Sequence, residues 1–421
     1  MQRRHFLAGM GGAAGLLPAC QSGALAVKEA GAEAGAEASA AALRGEARGT
    51  LLDAAALEDG LVGSSYLGCG GGGRLDEARA LIAADLAEGL VFRALDVAEL
   101  ADDERVASPY GLGSLAPLGE DLAADLAAVD PPVDAPTLDA FRLLERHLET
   151  RFSGVILGEI GPVSMAEGLS IAARLGIPAL DADTVGRATP EINQHSVRVA
   201  GYPLTPAAAV TPFGDEVILD GVRDPARQEA VFRALSVVSG VVGVTDGPID
   251  GAAAKADGTL VKGSFTLARA IGAAVRKARA SGGDPIEAAR AAGDGYTLFE
   301  GRVARFDWGD RDGFLAGDVE LAGRGANAGE RLHLDYKNEH LVARLGGPEG
   351  AVIATCPDLI TVIDEATHEG ISNPDFTEGQ AVRVLGYRCD PIWRRPAGLA
   401  VFEPRYFGYD IDYVPIEQRN A

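Results

Sequence analysis

The chain has 421 residues, 47% of them hydrophobic, which is ample for true cores and long enough for more than one domain. Its formal net charge of −23 repels phosphate backbones and anionic lipid surfaces, so nucleic acid is not expected as a partner. No apolar run approaches the roughly 18–20 residues that a transmembrane helix requires.

In chain order, the first segment reads as an address. Arg3-Arg4-His5-Phe6-Leu7 is a twin-arginine pattern, Leu7 to Ala19 suits a signal h-region, and Leu17-Pro18-Ala19-Cys20 resembles a lipobox whose cysteine becomes acylated. The expectation is an exported protein at the extracytoplasmic face, touching a membrane only through a lipid at Cys20. Residues 21–49 are almost all Ala, Gly, Glu and Ser, a composition that cannot offset the entropy of ordering, so a tether is expected there.

From Thr50 the patterns alternate. Leu57, Leu61, Val62 and Tyr66 recur at helical spacing, the glycine run Gly68 to Gly73 follows, and Leu75, Ala78, Ile82 and Leu86 form the next helical face. Leu138, Phe141, Leu144 and Leu148 make another. Val155-Ile156-Leu157 reads as a buried strand, Ser164 with Glu167 as a capping box opening a helix at Met165, and Ile177 to Leu180 as the next strand, giving a βαβ unit. Asp224-Pro225 and Asp284-Pro285 open two later helices with proline at the first helical position, and Leu267, Ile271 and Val275 line a third. After Tyr296, alternation of the kind Arg331-Leu332-His333-Leu334-Asp335-Tyr336 predicts half-buried antiparallel strands. The expected architecture is α/β: an N-terminal α/β domain (50–212) with a partly parallel sheet, then a C-terminal domain (213–421), helical to about 293 and β-rich beyond.

Gly68-x-Gly70-x-x-Gly73 satisfies the dinucleotide fingerprint literally, but the fingerprint needs a preceding strand and a helical pattern stands there instead. What consecutive glycines offer is bare backbone, either a tight turn or N–H groups turned together on an anion, with the helix from Leu75 adding its positive end. Cys69 within the run is the free thiol expected when three cysteines remain after Cys20, and Cys356 in an apolar run reads as core. Ligands of an open parallel sheet sit beyond the carboxyl ends of its strands, where Glu159, Asp181 and Asp183 gather. Such acids serve as acid and base with separated pKa values, or hold a divalent metal with His195, while Arg187 suits a substrate carboxylate. The same acids equally suit helix caps. His147, His333 and His368 lack metal-ligand spacing and read as solvated surface. Asn338-Glu339-His340 at a strand end reads as a second site or a turn.

These segments resemble the S-methyl thiohydantoin desulfurase family, which is associated with hydantoinases. The resemblance rests on Leu67 to Gly73, Glu159-Ile160-Gly161, Asp181 to Glu191, Lys255, Gly263-Ser264, Phe299-Glu300-Gly301, Asn338-Glu339, Pro357 to Ile360 and Phe407 to Asp410, and runs from Thr50 to Glu417. It implies a hydrolase of five-membered S-methyl thiohydantoin or hydantoin-like rings, in which the carbon bearing the methylthio group is attacked and methanethiol leaves. On that reading Cys69 is the nucleophile, its pKa lowered at a helix N-terminus. Gly70, Gly71, Gly72 and Gly73 steady negative charge, Glu159 or Asp183 activates water, and Arg187 with Lys255 holds substrate. A divalent metal on Asp181, Asp183 and His195 would make the hydroxide directly. The other reading is an exported binding protein without turnover.

Overall fold

The computed structural model describes residues 48–222 and 224–420. The twin-arginine stretch, Cys20 and nearly all of the tether lie outside the described residues. Among those described, no helix is long and apolar enough to cross a membrane.

Two sheets carry the structure. The first has nine strands: β1 (Thr50–Leu51), β2 (Arg93–Leu95), β3 (Arg105–Leu112), β4 (Gly154–Leu157), β5 (Ala179–Asp183), β6 (Ala207–Val210), β7 (Glu216–Leu219), β8 (Val242–Asp250) and β9 (Val261–Lys262). Their order is β1-β2-β5-β4-β3-β8-β6-β7, with β9 on β5. Only β2–β5, β5–β4 and β4–β3 pair in parallel. The wholly buried run Gly154-Val155-Ile156-Leu157 is what an interior strand requires, with β3 and β5 on its edges and the helix Pro162–Leu175 packed on it. The domain boundary expected at 212 does not coincide with a break in this sheet, since β7, β8 and β9 all come after it.

The second sheet is antiparallel throughout, in the order β14-β13-β12-β11-β10-β17-β15-β16. Its strands are β10 (Tyr296–Arg311), β11 (Phe314–Gly323), β12 (Arg331–Lys337), β13 (Glu339–Leu345), β14 (Ala351–Thr355), β15 (Leu359–Asp364), β16 (Glu369–Gly370) and β17 (Ala381–Tyr387). Alternation places Val319, Leu321, Leu332 and Leu334 in one apolar core and Asp318, Glu320, His333 and Asp335 on the opposite face. The expected order, a partly parallel α/β part followed by a β-rich part, is the one observed.

Helix starts follow the anticipated chemistry at Asp224 and Asp284, whose carboxylates accept from Ala226 N and from Ile286 and Glu287 N ahead of N1 prolines. The capping box at Ser164 is a misreading. That helix runs Pro162–Leu175 with no side-chain cap, so Ser164 and Glu167 sit inside its first turns and are free for another purpose. The main core runs continuously from Leu57 and Tyr66 in the helix Ala54–Leu67 to Leu341, Cys356 and Leu359 of the second sheet, so the two parts share buried surface. Cys69, Cys356 and Cys389 are all buried and unpaired.

Candidate functional site

A cavity of about 220 Å³ opens at the carboxyl ends of the parallel strands. Tyr110 to Leu112 end β3 and Gly113 to Leu115 follow it, Gly158 and Glu159 leave β4, Thr184 and Val185 leave β5, and all of them line it. Ser164 and Glu167 of the helix Pro162–Leu175 line it as well. The opposite wall is Asn338 and Glu339, at the turn between β12 and β13. The site is therefore built by both sheets, and the Asn338–Glu339 cluster belongs to it rather than to a second one.

The glycine run joins the helices Ala54–Leu67 and Leu75–Ala87, as the spacing predicted. Its glycines are required by close approach as much as by backbone angle. A Cβ on Gly71 would stand 1.8 Å from Glu339 Oε1, and one on Gly72, whose φ is +71°, 2.4 Å from Gly161 Cα. The loop carbonyls are used for docking: His340 N donates to Cys69 O (2.9 Å), Asn373 N to Gly70 O (2.8 Å) and Val163 N to Gly72 O (2.7 Å). Gly72 and Gly73 line the cavity, and among the described residues their N–H groups have no protein acceptor, so they remain available to a ligand oxygen or sulfur. Gly70 and Gly71 face the second sheet instead.

Three carboxyls meet the cavity, Glu339 buried and Glu159 and Glu167 half-buried in its wall. Glu159 accepts from Ser164 Oγ (2.8 Å) and Thr189 N (2.9 Å), yet burial pushes it up to about 7. Glu167, 3.4 Å from Thr137 Oγ1, is likewise raised to about 7, by burial first, with the charge of Glu159 adding to it. Glu339 is held well above the carboxylate range by burial and then by Glu159, and its Oε2 has no partner. Burial raises both Glu159 and Glu339, and the charge of Glu159 raises Glu339 further, so the two carboxyls resist ionising together, as an acid–base pair requires. Glu191 behaves oppositely. Despite its burial, the Lys337 ammonium, with which it forms an ion pair, and Tyr406 (2.5 Å) hold it below the usual range.

Beneath this group lies Arg187, fully buried. Nε donates to Ala188 O (2.9 Å), Nη1 to Asp358 O (2.8 Å) and Nη2 to His340 O (3.0 Å). Its donors are spent on carbonyls and it does not line the cavity, so it cannot grip a substrate tail as expected. Its charge acts at a distance, opposing the rise at Glu159 and Glu339 and, after burial, helping to hold His340 down at about 4.

Cys69 also departs from expectation. The residue is at 0% exposure and outside the cavity lining, with Sγ 3.4 Å from Leu67 O. Burial raises its pKa, the reverse of the depression anticipated from a helix N-terminus, because the sulfur lies in apolar core where the thiolate is disfavoured.

The strand-end acids divide. Asp181 caps the helix Ser264–Ser281, accepting from Thr266 N (2.9 Å) and Oγ1 (2.6 Å). Asp183 turns into its own loop, accepting from Val185 N (2.9 Å) and Gly186 N (2.6 Å), and burial raises it to about 7. His195 lines the cavity wall, but Nδ1 accepts from Val197 N (3.3 Å) and Nε2 faces Asp246 Oδ1 at 3.4 Å. Asp246 is in turn bonded by Tyr110 Oη and Gln228 Nε2, both at 2.7 Å. Asp181, Asp183 and His195 do not converge as a metal centre: among the described residues their ligand atoms are not brought within 4.8 Å of one another. Lys255 is remote from the cavity, bonding Leu100 O and Asp102.

Family models match almost the whole described chain. Residues 55–221 fit the S-Me-THD-like N-terminal domain and 223–416 the S-Me-THD-like C-terminal domain. The chain belongs to the S-Me-THD-like family. Its two family domains meet at about residue 222, some ten residues beyond the boundary expected from the sequence. Among solved structures, an X-ray structure of a protein from Chromobacterium violaceum superposes with a TM-score of 0.69 at 24% identity, covering 87% of this chain and 100% of that one. At that identity the likeness establishes a shared fold. No curated protein matches the chain. Within the S-Me-THD-like fold of this chain, the carboxyls that sequence reasoning missed are Glu167, masked by its resemblance to a cap, and Glu339, legible only as part of an ambiguous turn.

Proposed function

We propose that this S-Me-THD-like protein is a hydrolase of small five-membered rings of the S-methyl thiohydantoin or hydantoin-like class. The observation that carries the reading is that Glu159, held by Ser164 Oγ at 2.8 Å, and Glu339 line one cavity, each carboxyl raised by burial. In this reaction the Glu159 carboxylate removes a proton from water, whose oxygen bonds to the ring carbon bearing the methylthio group. That carbon's C–S bond breaks, protonated Glu339 supplies the proton, and methanethiol and the oxygenated ring leave. Gly72 and Gly73, which line the cavity with N–H groups unpaired among the described residues, would steady the charge that develops in between. Water is the nucleophile here, which relieves Cys69 of that role. The cavity volume is smaller than the ~300–1,000 Å³ of sites for drug-sized ligands, in keeping with a compact ring.

Incubating the full chain with an S-methyl thiohydantoin and measuring methanethiol tests the proposal. Release by the wild type and its loss in Glu159→Gln are expected; a ring that binds and is recovered unchanged would establish a binding protein instead. We propose further that the protein is exported and lipid-anchored, supported by Arg3-Arg4 and Cys20. Replacing both arginines by lysine should trap it inside the cell, and an unaltered distribution on fractionation rejects that.

A further inference from the structure

A second group of ligating side chains lies away from the cavity, on the outer face of the antiparallel sheet. In the β11–β12 register Asp318 stands opposite Asp335 and Glu320 opposite His333, so four polar side chains share one face while Val319 and Leu321 between them point into the core. One ligand atom from each of Asp318, Glu320 and His333 falls within 4.8 Å of the others, the one such trio among the described residues. His333 is 95% buried by surface area, at 5% exposure, and its Nδ1 has no hydrogen-bond partner while standing 3.8 Å from Asp318 Oδ1. Burying an imidazole nitrogen unpaired costs free energy unless something occupies the space it faces. The other ring nitrogen, Nε2, is 3.2 Å from Asp335, whose second oxygen is paired with Arg344. That is the arrangement in which a carboxylate fixes a histidine so that its free nitrogen can bind a metal.

We propose that Asp318, Glu320 and His333 Nδ1 form a site for a divalent ion of the zinc class, with Asp335 as the positioning residue. One nitrogen and two carboxylate oxygens suit Zn²⁺, and closing the trio onto bonds of about 2.0–2.2 Å asks for shifts of under about 1 Å. Arg305 is the main resident cation, with Arg331 3.8 Å from Glu320 Oε2 beside it. Arg305 lies opposite Glu320 in the β10–β11 register and bonds Asp318 (2.5 Å) and Glu320 (3.2 Å). Its side chain is 46% exposed, free to swing into water when a metal arrives. Metal and guanidinium compete for the same two carboxylates, so Arg305 sets the affinity of the site.

The test is titration of metal-stripped full chain with Zn²⁺ by calorimetry, and with Co²⁺ by visible absorption. One Zn²⁺ per chain is expected, bound more tightly in Arg305→Ala and about 10- to 100-fold more weakly in Asp335→Asn. His333→Ala should abolish it, and Glu159→Gln should leave it unchanged. If His333→Ala does not fold by circular dichroism, Asp318→Asn replaces it, with loss of binding again expected. Intense Co²⁺ bands of a four- or five-coordinate site support the assignment. It is overturned by absence of stoichiometric Zn²⁺ in both wild type and Arg305→Ala, by undiminished binding in the ligand variant, by Co²⁺ bands of a water-like six-coordinate ion, or by loss of Zn²⁺ in Glu159→Gln alone.

Discussion

The ends of β4 and β5 make an instructive pair. Each delivers an acid just where a parallel sheet presents its ligands, and burial brings Glu159 and Asp183 to the same pKa of about 7. Yet Glu159 faces the cavity beside Ser164, whereas Asp183 is folded back on Val185 and Gly186 N–H groups. A displaced pKa thus reports burial. What makes a carboxyl useful is that the burial is shared with an open space and a second group of different acidity.

The sharpest way to break the comparison is to remove each acid's charge. Glu159→Gln should lower the rate of methanethiol release by about 10²–10⁴, the worth of a positioned base, while Asp183→Asn should keep turnover within a small factor. The pH profile sharpens the point. A base with a pKa near 7 gives kcat/KM that rises through about pH 7 and falls below it, and a flat profile from pH 5 to 9 would exclude Glu159 from that role.

Next in size is Gly71→Ala. A methyl placed 1.8 Å from Glu339 Oε1 must push that carboxyl aside, so about tenfold or more of the activity should go, with a stability loss of about 1–3 kcal/mol in thermal melts. Retained activity would mean Glu339 has no part.

Asp183 has its own signature in stability. Its folded pKa is raised from 3.8 to about 7, so the unfolded chain ionises first, and the penalty is absent below about pH 4, grows as pH rises, and is complete above about pH 7. Asp183→Asn removes that penalty while its amide oxygen can still accept from the loop. The variant should gain stability on the order of a few kcal/mol at pH 8 and nothing at pH 4, measured by denaturant unfolding. No pH dependence of the difference would contradict the burial argument. The smallest effect is expected at Cys69→Ser, which should retain turnover within a small factor while costing about 1–3 kcal/mol for a buried hydroxyl. Abolished turnover in a folded variant would restore the thiol to the chemistry.

Much of the fold was legible. Helical spacing at Leu57 to Tyr66 and Leu138 to Leu144, the Asp–Pro helix starts, and alternation after Tyr296 all depend on short-range periodicity, which sequence displays directly. The site was legible in part, through the glycine run and Glu159. Arg187, Lys255 and the trio of Asp181, Asp183 and His195 misled because residue type and chain proximity do not reveal where a side chain turns. Asp181 was drawn to a helix start 85 residues on, and Arg187 to carbonyls of the second sheet. Glu339 reaches the cavity only because β12 and β13 pair across a one-residue turn and dock on the glycine loop, a contact between segments some 270 residues apart (339 − 71 = 268). His333, read as solvated surface, is buried, and its neighbours are set by strand register rather than by spacing along the chain.

Arg187 carries one more consequence. This guanidinium belongs to the N-terminal family domain, yet its Nη1 and Nη2 donate to carbonyls at 340, 357 and 358 of the C-terminal one. Expressed alone, the first domain would hold a cation stripped of those partners, and the second a set of inward carbonyls with nothing to receive. The two halves are therefore poor candidates for exchange between relatives: a chimera would have to inherit both sides of this contact together.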